Sequence, residues 1–317
     1  MSFELKEPLL IVGLGGTGSK LAKKAATVLK ADTLIISHDK NDIDPEYASI
    51  FVSTSPVVNP SVPYIRACAH NALESIKEKV SEYATVVLLA NLAGKDGTAF
   101  SPIISQVCKE ENKGVVSFAI MPFKFEKDRL FNAGIALKRL RTNSDCVIVV
   151  DNDALLNCNP DLTKTQCNEI SNSAVLYGLS LLQSSEIGSE AHILSTEKGN
   201  TNLEISVKDS LKMLYENAPP NSVKRSLLYV LGGDNVPVGI INSISNLTAG
   251  ILSEDGSRVD VTTNSSNETK VVMLSSVRSD AIFEKYDPLG IIPTQNTLDW
   301  NEPECSINCE LSLYQLE

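Results

Sequence analysis

Pro8-Leu9-Leu10-Ile11-Val12 runs straight into Gly13-Leu14-Gly15-Gly16-Thr17-Gly18, and Ser19 to Leu29 follow with Leu21, Ala25 and Leu29 on one helical face. A short apolar run is read as a buried strand, and the repeat that follows as an amphipathic helix. Glycines between the two let the backbone approach a phosphate, and the helix N-terminus offers free N–H groups and the positive end of its dipole. By itself this G-x-G-x-x-G loop also fits a dinucleotide-binding domain, for which Asp39 would supply the ribose-contacting acid.

Outward from this loop, strands and helices alternate. Residues 33–37, 85–90, 114–121 and 146–150 are apolar runs expected to be strands. Helical periodicity marks 64–82, about 102–111, 127–142 and a long segment over about 163–183. The polar stretch 38–63 reads as loop. Such alternation predicts an α/β fold, a doubly wound and mostly parallel sheet covered on both faces, with ligands beyond the carboxyl ends of the strands. After residue 188 the pattern changes to a strand at 191–197, a helix at 203–217, a strand at 226–231, a helix at 237–251 and strands at 257–263 and 269–277 around a polar turn. That is a smaller α+β unit, its last two strands expected to form an antiparallel hairpin. The expected organisation is a nucleotide-binding domain over 1–162, a central helix and linker over 163–188, the α+β domain over 189–278 and a tail over 279–317.

Composition narrows the class. The 317 residues are 43% hydrophobic and 21% charged, ordinary for a folded globular chain, and the formal net charge is −11. An acidic surface repels nucleic-acid phosphates and anionic lipid, so no nucleic-acid partner is expected. No apolar run approaches the roughly 20 residues that span a bilayer, and the acidic N-terminus is not a signal peptide, so the expected location is cytoplasmic, without membrane insertion. Seven cysteines without regular spacing argue against a disulfide framework. Cys305 and Cys309 form a CxxxC pair, but His38, His70 and His192 lie far away in sequence, so a zinc site lacks its remaining ligands.

Three further stretches lie after strands. Ala93-Gly94-Lys95-Asp96-Gly97-Thr98-Ala99 is a second glycine-bearing turn, Pro122-Phe123-Lys124-Phe125-Glu126 follows the next strand, and Asn152-Asp153-Ala154-Leu155-Leu156 the one after. With Asn59-Pro60, the GxGGxG form of the first loop and Leu228 to Asp234 (LYVLGGD), this series resembles FtsZ of the tubulin/FtsZ superfamily, as a divergent protein of archaeal type. PFxFE and NDxLL at family spacing are its specific part, and the likeness runs over about residues 8–278. It implies a nucleotide domain of GTPase type, a long central helix and a smaller α+β domain. It also implies GTP or GDP with Mg²⁺ as ligands, and subunits stacked head to tail, each completing the nucleotide site of the next.

The resemblance assigns Gly13, Gly15, Gly16, Thr17 and Gly18 to phosphate binding, with Gly94, Lys95, Asp96, Gly97 and Thr98 in place of the family's signature loop. Lys20 stands where the family has Asn against the base, Arg129 is retained, and Asn172 falls where a guanine-pairing residue would be. The signature loop departs from the family: Lys95 replaces a glycine, Asp96 a threonine, and Ala93 and Ala99 the outer glycines. A carboxylate at 96 repels terminal phosphates unless a Mg²⁺ or another cation intervenes, and Lys95 and Lys20 are the candidate compensators. The ribose-contacting acid corresponds to Gly134. The family's acidic catalytic loop and following helix have no counterpart, since Glu186 and Glu190 are the only acids in the short stretch between the central helix and the next strand. No catalytic residue is therefore assigned, and self-activated GTP hydrolysis is expected to be impaired or absent. The expected function is a cytoskeletal or cell-division subunit that self-associates or co-assembles with an active paralogue. The alternatives are a nucleotide-free scaffold and a Rossmann-type NAD(P)-dependent enzyme.

Overall fold

The computed structural model describes residues 2–184, 187–188, 191–199, 202–219, 222–252, 258–266, 269–278 and Tyr286. A short strand β1 (Ser2–Phe3) precedes β2 (Leu9–Leu14), α1 (Gly15–Leu29), β3 (Asp32–Ser37) and β4 (Ala48–Phe51). Helices α2 (Val62–Ala69) and α3 (Leu73–Ser81) lead to β5 (Thr85–Asn91), α4 (Lys95–Glu110), β6 (Gly114–Met121), α5 (Lys127–Asn143) and β7 (Cys146–Asp151). Then come α6 (Asn152–Cys158), the long α7 (Lys164–Ser184), β8 (Ile187–Gly188), β9 (Ala191–Thr196), α8 (Leu203–Tyr215), β10 (Val223–Leu231), α9 (Val238–Leu252), β11 (Arg258–Thr263) and β12 (Lys270–Val277).

Ten strands form one sheet in the order β11-β10-β12-β9-β7-β6-β5-β2-β3-β4. From β4 to β9 every neighbouring pair is parallel, while β12 runs antiparallel to both β9 and β10. Successive side chains of a strand point to opposite faces, and both faces are buried. Leu10 and Val12 of β2 enter a core with α2, α3, α4 and α5; Ile11 enters a second core with α1 and α7. This is why the strands read as continuous apolar runs rather than alternating ones.

The structure corrects four local expectations. Strands β11 and β12 do not form a hairpin: β10 lies between them, parallel to β11 and antiparallel to β12. β10 is apolar on both faces and takes an interior position, whereas the half-exposed β11 suits an edge. The segment 38–63 contains β4, a mostly exposed edge strand with little apolar signal. The periodic stretch 64–82 is interrupted by a 3-10 turn at His70–Ala72. Finally, α4 begins at Lys95, seven residues ahead of Pro102, which lies inside the helix. A proline there removes the amide that would bond the carbonyl four residues back. That carbonyl, Thr98 O, instead accepts from Arg66 Nη2 of α2 at 3.1 Å. The tail expected over 279–317 lies, apart from Tyr286, outside the described residues, as do Glu186, Glu190, Cys305 and Cys309. Tyr286 itself is buried in the core.

Candidate functional site

Two helix N-termini meet at the carboxyl edge of the sheet. α1 starts at Gly15 after Leu14, and α4 starts at Lys95 after Gly94; neither N-cap residue supplies a side-chain hydrogen bond. The amides of a first helical turn have no intrahelical acceptor, and the dipole adds positive charge there. The cleft between them is about 220 Å³, lined by Leu14 to Thr17, His38, Asp39, Asp42, Asn91 and Gly94 to Gly97.

Glycine is required at two of these positions for different reasons. Gly15 has φ +63°, and a Cβ there would lie 2.7 Å from Asp96 Cβ. At Gly97 a Cβ would fall 2.1 Å from Asn91 O, so α4 can seat on the end of β5 only without a side chain. Gly13 and Gly18 lie beneath the cleft, packed on each other, and bring α1 close to β2 and β5.

The other expected site residues are distributed as follows. Thr17 Oγ1 accepts from Asn91 Nδ2 at 3.4 Å. Thr98 is buried and its hydroxyl is turned inward, within 2.8 Å of both Leu92 O and Gly94 O, closing the turn. Lys95 reaches away from the cleft: Nζ donates to Asn59 Oδ1 at 2.5 Å and Pro60 O at 2.7 Å, which gives the Asn-Pro dipeptide its role. Arg129 Nη1 donates to Ala93 O at 2.9 Å and Glu126 Oε1 at 3.2 Å, so it braces the signature turn from behind. Lys20 is exposed on α1 and Asn172 half-buried on α7; neither lines the cleft.

Asp96 is 5% exposed, and its carboxylate lies inside the cleft. Its Oδ2 accepts from Ser37 Oγ at 2.7 Å and from the His38 amide at 3.2 Å, and its Oδ1 meets His38 Nδ1. The same Ser37 hydroxyl lies 2.7 Å from Asp42 Oδ2. Asp42 stands against Gly16, whose Cβ would fall 2.8 Å from Asp42 Oδ1. Burial pushes the Asp42 carboxyl above its ordinary value; the Ser37 hydrogen bond opposes this, and the charges of Asp39 and Asp96 reinforce it. Ser37, His38 and Asp42 were not singled out from the sequence as phosphate-site residues. Their signal is position: Ser37 ends β3, and His38 and Asp42 lie in the first turn beyond it, where α/β sheets place ligands.

PFxFE and NDxLL form joints beside the cleft. Glu126, 8% exposed, accepts from Lys164 Nζ at 2.5 Å and from the Phe123 amide at 3.3 Å. Asp153 Oδ1 accepts from the Lys124 amide at 3.0 Å, and its Oδ2 pairs with Lys124 Nζ at 3.1 Å. Asn152 Oδ1 accepts from Ser171 Oγ at 2.6 Å, tying α6 to α7. Phe123 is core, as its type suggests, but Phe125 is 61% exposed and stacks on Phe123 with ring centres 5.1 Å apart. The Lys164 ammonium lies over both rings. Among the described residues no group of three or more His, Cys, Asp or Glu is arranged to hold a metal ion.

Comparison with known proteins agrees with this architecture. Residues 61–160 match the model of the Tubulin/FtsZ family, GTPase domain. The chain is 31% identical over 162 residues to cell division protein FtsZ 2 of Halobacterium salinarum, covering 49% of this chain and 41% of the relative. It is 27% identical over 162 residues to FtsZ 2 of Methanocaldococcus jannaschii, covering 49% and 43%. The chain thus spans less than half the length of these curated relatives. An empty FtsZ dimer of M. jannaschii superposes with TM-score 0.67 at 17% identity, covering 86% of this chain and 88% of that one. A GTPγS-bound CetZ2 protofilament of Haloferax volcanii gives 0.63 at 17%, covering 88% and 96%. The fold is that of the FtsZ and tubulin class. Residues 61–160 are similar to the GTPase domain of the Tubulin/FtsZ family, and about half of the chain to archaeal FtsZ 2 proteins.

Proposed function

We propose that this chain is a filament-forming, FtsZ-like cytoskeletal subunit that takes a guanine nucleotide in the α1/α4 cleft and has little or no hydrolysis of its own. The observation that carries the reading is the meeting of two uncapped helix N-termini over glycines that admit no side chain. Backbone amides and aligned dipoles suit a phosphate. Gly15 to Gly18 and Gly94 to Gly97 would hold it. Asp42 and Asp96, as ionised carboxylates, do not suit a terminal phosphate, and that mismatch favours a nucleotide-free scaffold as the second reading.

Loss of turnover is supported by the connection from α7, ending at Ser184, to β9, starting at Ala191. Its six residues include β8, which pairs with β1. They cannot contain an acidic loop and a further helix. Head-to-tail assembly, alone or with an active paralogue that supplies that segment, follows the relatives whose solved structures are a dimer and a protofilament. No helix among the described residues is long and apolar enough to cross a membrane.

Titration calorimetry of GTP and GDP with Mg²⁺ into nucleotide-stripped protein tests the site. Micromolar or tighter binding with negligible phosphate release is expected. Absence of binding by folded protein would leave the scaffold reading. Pelleting and electron microscopy, alone and with a paralogue, test assembly.

A further inference from the structure

One hydroxyl serves two carboxyl groups. Ser37 Oγ lies 2.7 Å from Asp42 Oδ2 and 2.7 Å from Asp96 Oδ2, and it accepts from the Asp39 amide at 3.0 Å. A serine hydroxyl carries one hydrogen and two lone pairs. One lone pair is taken by the Asp39 amide. The single hydrogen can go to only one carboxylate, so the second short oxygen–oxygen contact needs a proton from the other side. Asp96 is the accepting end, since the His38 amide also donates to it. The chain of donation therefore runs from a protonated Asp42 to Ser37 and from Ser37 to Asp96.

Apart from His38, whose Nδ1 meets Asp96 Oδ1, the described residues leave the pair no neutralising cation. Lys95 is held by Asn59 and Pro60, Lys23 by Asp44 at 2.5 Å, and Lys40 lies over the Phe51 ring. Lys20, on α1, is exposed and outside the cleft. The groups facing Asp42 are Ser37, His38 and Asp39 from the end of β3, Asp96 from α4 and the Gly16 backbone of α1. Only His38 among these can carry positive charge. Both carboxyl groups stand against the glycines that would receive phosphate, Asp96 against Gly15 and Asp42 against Gly16.

We propose that Asp42, Ser37 and Asp96 form a proton-held lock on the phosphate cradle, so that nucleotide enters only with a proton retained or taken up at Asp42. This rests on the nucleotide reading above and adds a condition to it. An incoming anion raises the cost of ionising Asp42, so the complex binds that proton more tightly than the free protein does. Affinity then falls as pH rises above the value at which free Asp42 ionises. The direction of the Asp42 shift, upward through burial, agrees.

The test is titration of GDP into the full chain over a pH series running from the ordinary carboxylate range past neutral, in paired buffers of different ionisation enthalpy. For the unmodified chain, proton uptake on binding is expected, with Kd rising by up to about tenfold per pH unit. Asp42→Asn keeps a donor to Ser37 without the charge. It is expected to bind more tightly at the alkaline end and to lose the excess slope, keeping only that of the nucleotide's own phosphate. Equal slopes in the two proteins would overturn the lock. So would an affinity that climbs with pH and depends on Mg²⁺, because a bridging cation would then neutralise the pair. Carbon-13 carboxyl titration of the nucleotide-free protein reads the lock directly: one aspartate is expected to titrate well above the others and to vanish in Asp42→Asn. If that titration is seen and neither protein binds nucleotide at any pH, the lock stands as a charge arrangement and both the nucleotide reading and its proton coupling fail. If nucleotide binds and no such titration exists, the lock alone fails.

Discussion

Arg66 of α2 donates through Nη2 to the main-chain oxygen of Thr98 in α4, the acceptor that Pro102 leaves unserved. The guanidinium is almost wholly buried, and burial first, then the nearby charge of Arg139, brings its pKa down to about 10. A buried cation is thus retained at a cost in order to finish the first turns of the helix that forms one wall of the cleft.

Replacing it tests that bond. Arg66→Met leaves a buried carbonyl without its donor and is expected to destabilise the protein by about 1–3 kcal/mol. Pro102→Ala returns an amide to the same oxygen. In the Arg66→Met background it is expected to recover about 1 kcal/mol, a coupling that urea denaturation of the double-mutant cycle reads directly. Additive effects would mean that Thr98 O is satisfied some other way.

Alanine at the cleft glycines should rank by what the new Cβ meets. Gly97→Ala drives a methyl to within 2.1 Å of the Asn91 carbonyl, a backbone atom that cannot step aside. Failure to fold, or a loss above about 3 kcal/mol, is expected. Gly15→Ala pays for a left-handed conformation, about 1 kcal/mol, and also pushes Asp96 at 2.7 Å. Gly94→Ala meets Asn91 O at 3.3 Å and should be mildest. Thermal denaturation of the three gives the order.

Asp42 sets a pH dependence of stability whose sign is fixed. Its folded-state pKa is raised above the unfolded value of 3.8, chiefly by burial. The unfolded chain therefore gives up this proton first as pH rises, and stability drains away from there up through the folded pKa. Asp42→Asn removes the ionisation. The variant is expected to be more stable than the parent at pH 7 and to lose that advantage on acidification towards pH 3.8, read by urea midpoints along a pH series.

Glu126 collects three donors: the Phe123 amide, Lys164 and Arg129. Glu126→Ala is expected to cost about 1–3 kcal/mol, because a nearly buried acceptor serving charged partners is lost. Lys164→Ala removes only one half-exposed partner and should cost under about 1 kcal/mol. Equal losses would show that the lysine, through its contact with the phenylalanine pair, is the main contributor.

Much of this was legible from residue order. PLLIV before the glycine loop marks β2, and PFxFE and NDxLL mark the joints after β6 and β7 because each sets an acid that accepts from a backbone amide beside buried apolar residues. Other features were hidden. Lys95 looks like a phosphate ligand in sequence, yet its ammonium is taken by Asn59 and Pro60, which are 36 and 35 positions away. Thr98 looks like a hydroxyl for phosphate, but the helix starts seven residues, about two turns, earlier than Pro102 suggests and folds that hydroxyl inward. The Ser37–Asp42–Asp96 cluster joins residues up to 59 positions apart, a contact that no local pattern encodes. The exchange of β10 and β11 escaped for a similar reason: a polar turn says that the chain reverses, not which strand it lies beside.

The ladder crosses from the α/β half to the α+β half through three residue pairs, Val147 with Ala191, Ile148 with His192 and Val149 with Ile193. Mechanically this makes the molecule a beam. A load applied at the β11 edge reaches β4 through an unbroken series of strand contacts, loaded in shear. Pivoting about α7 would have to unzip those pairs, so the molecule resists bending at its waist.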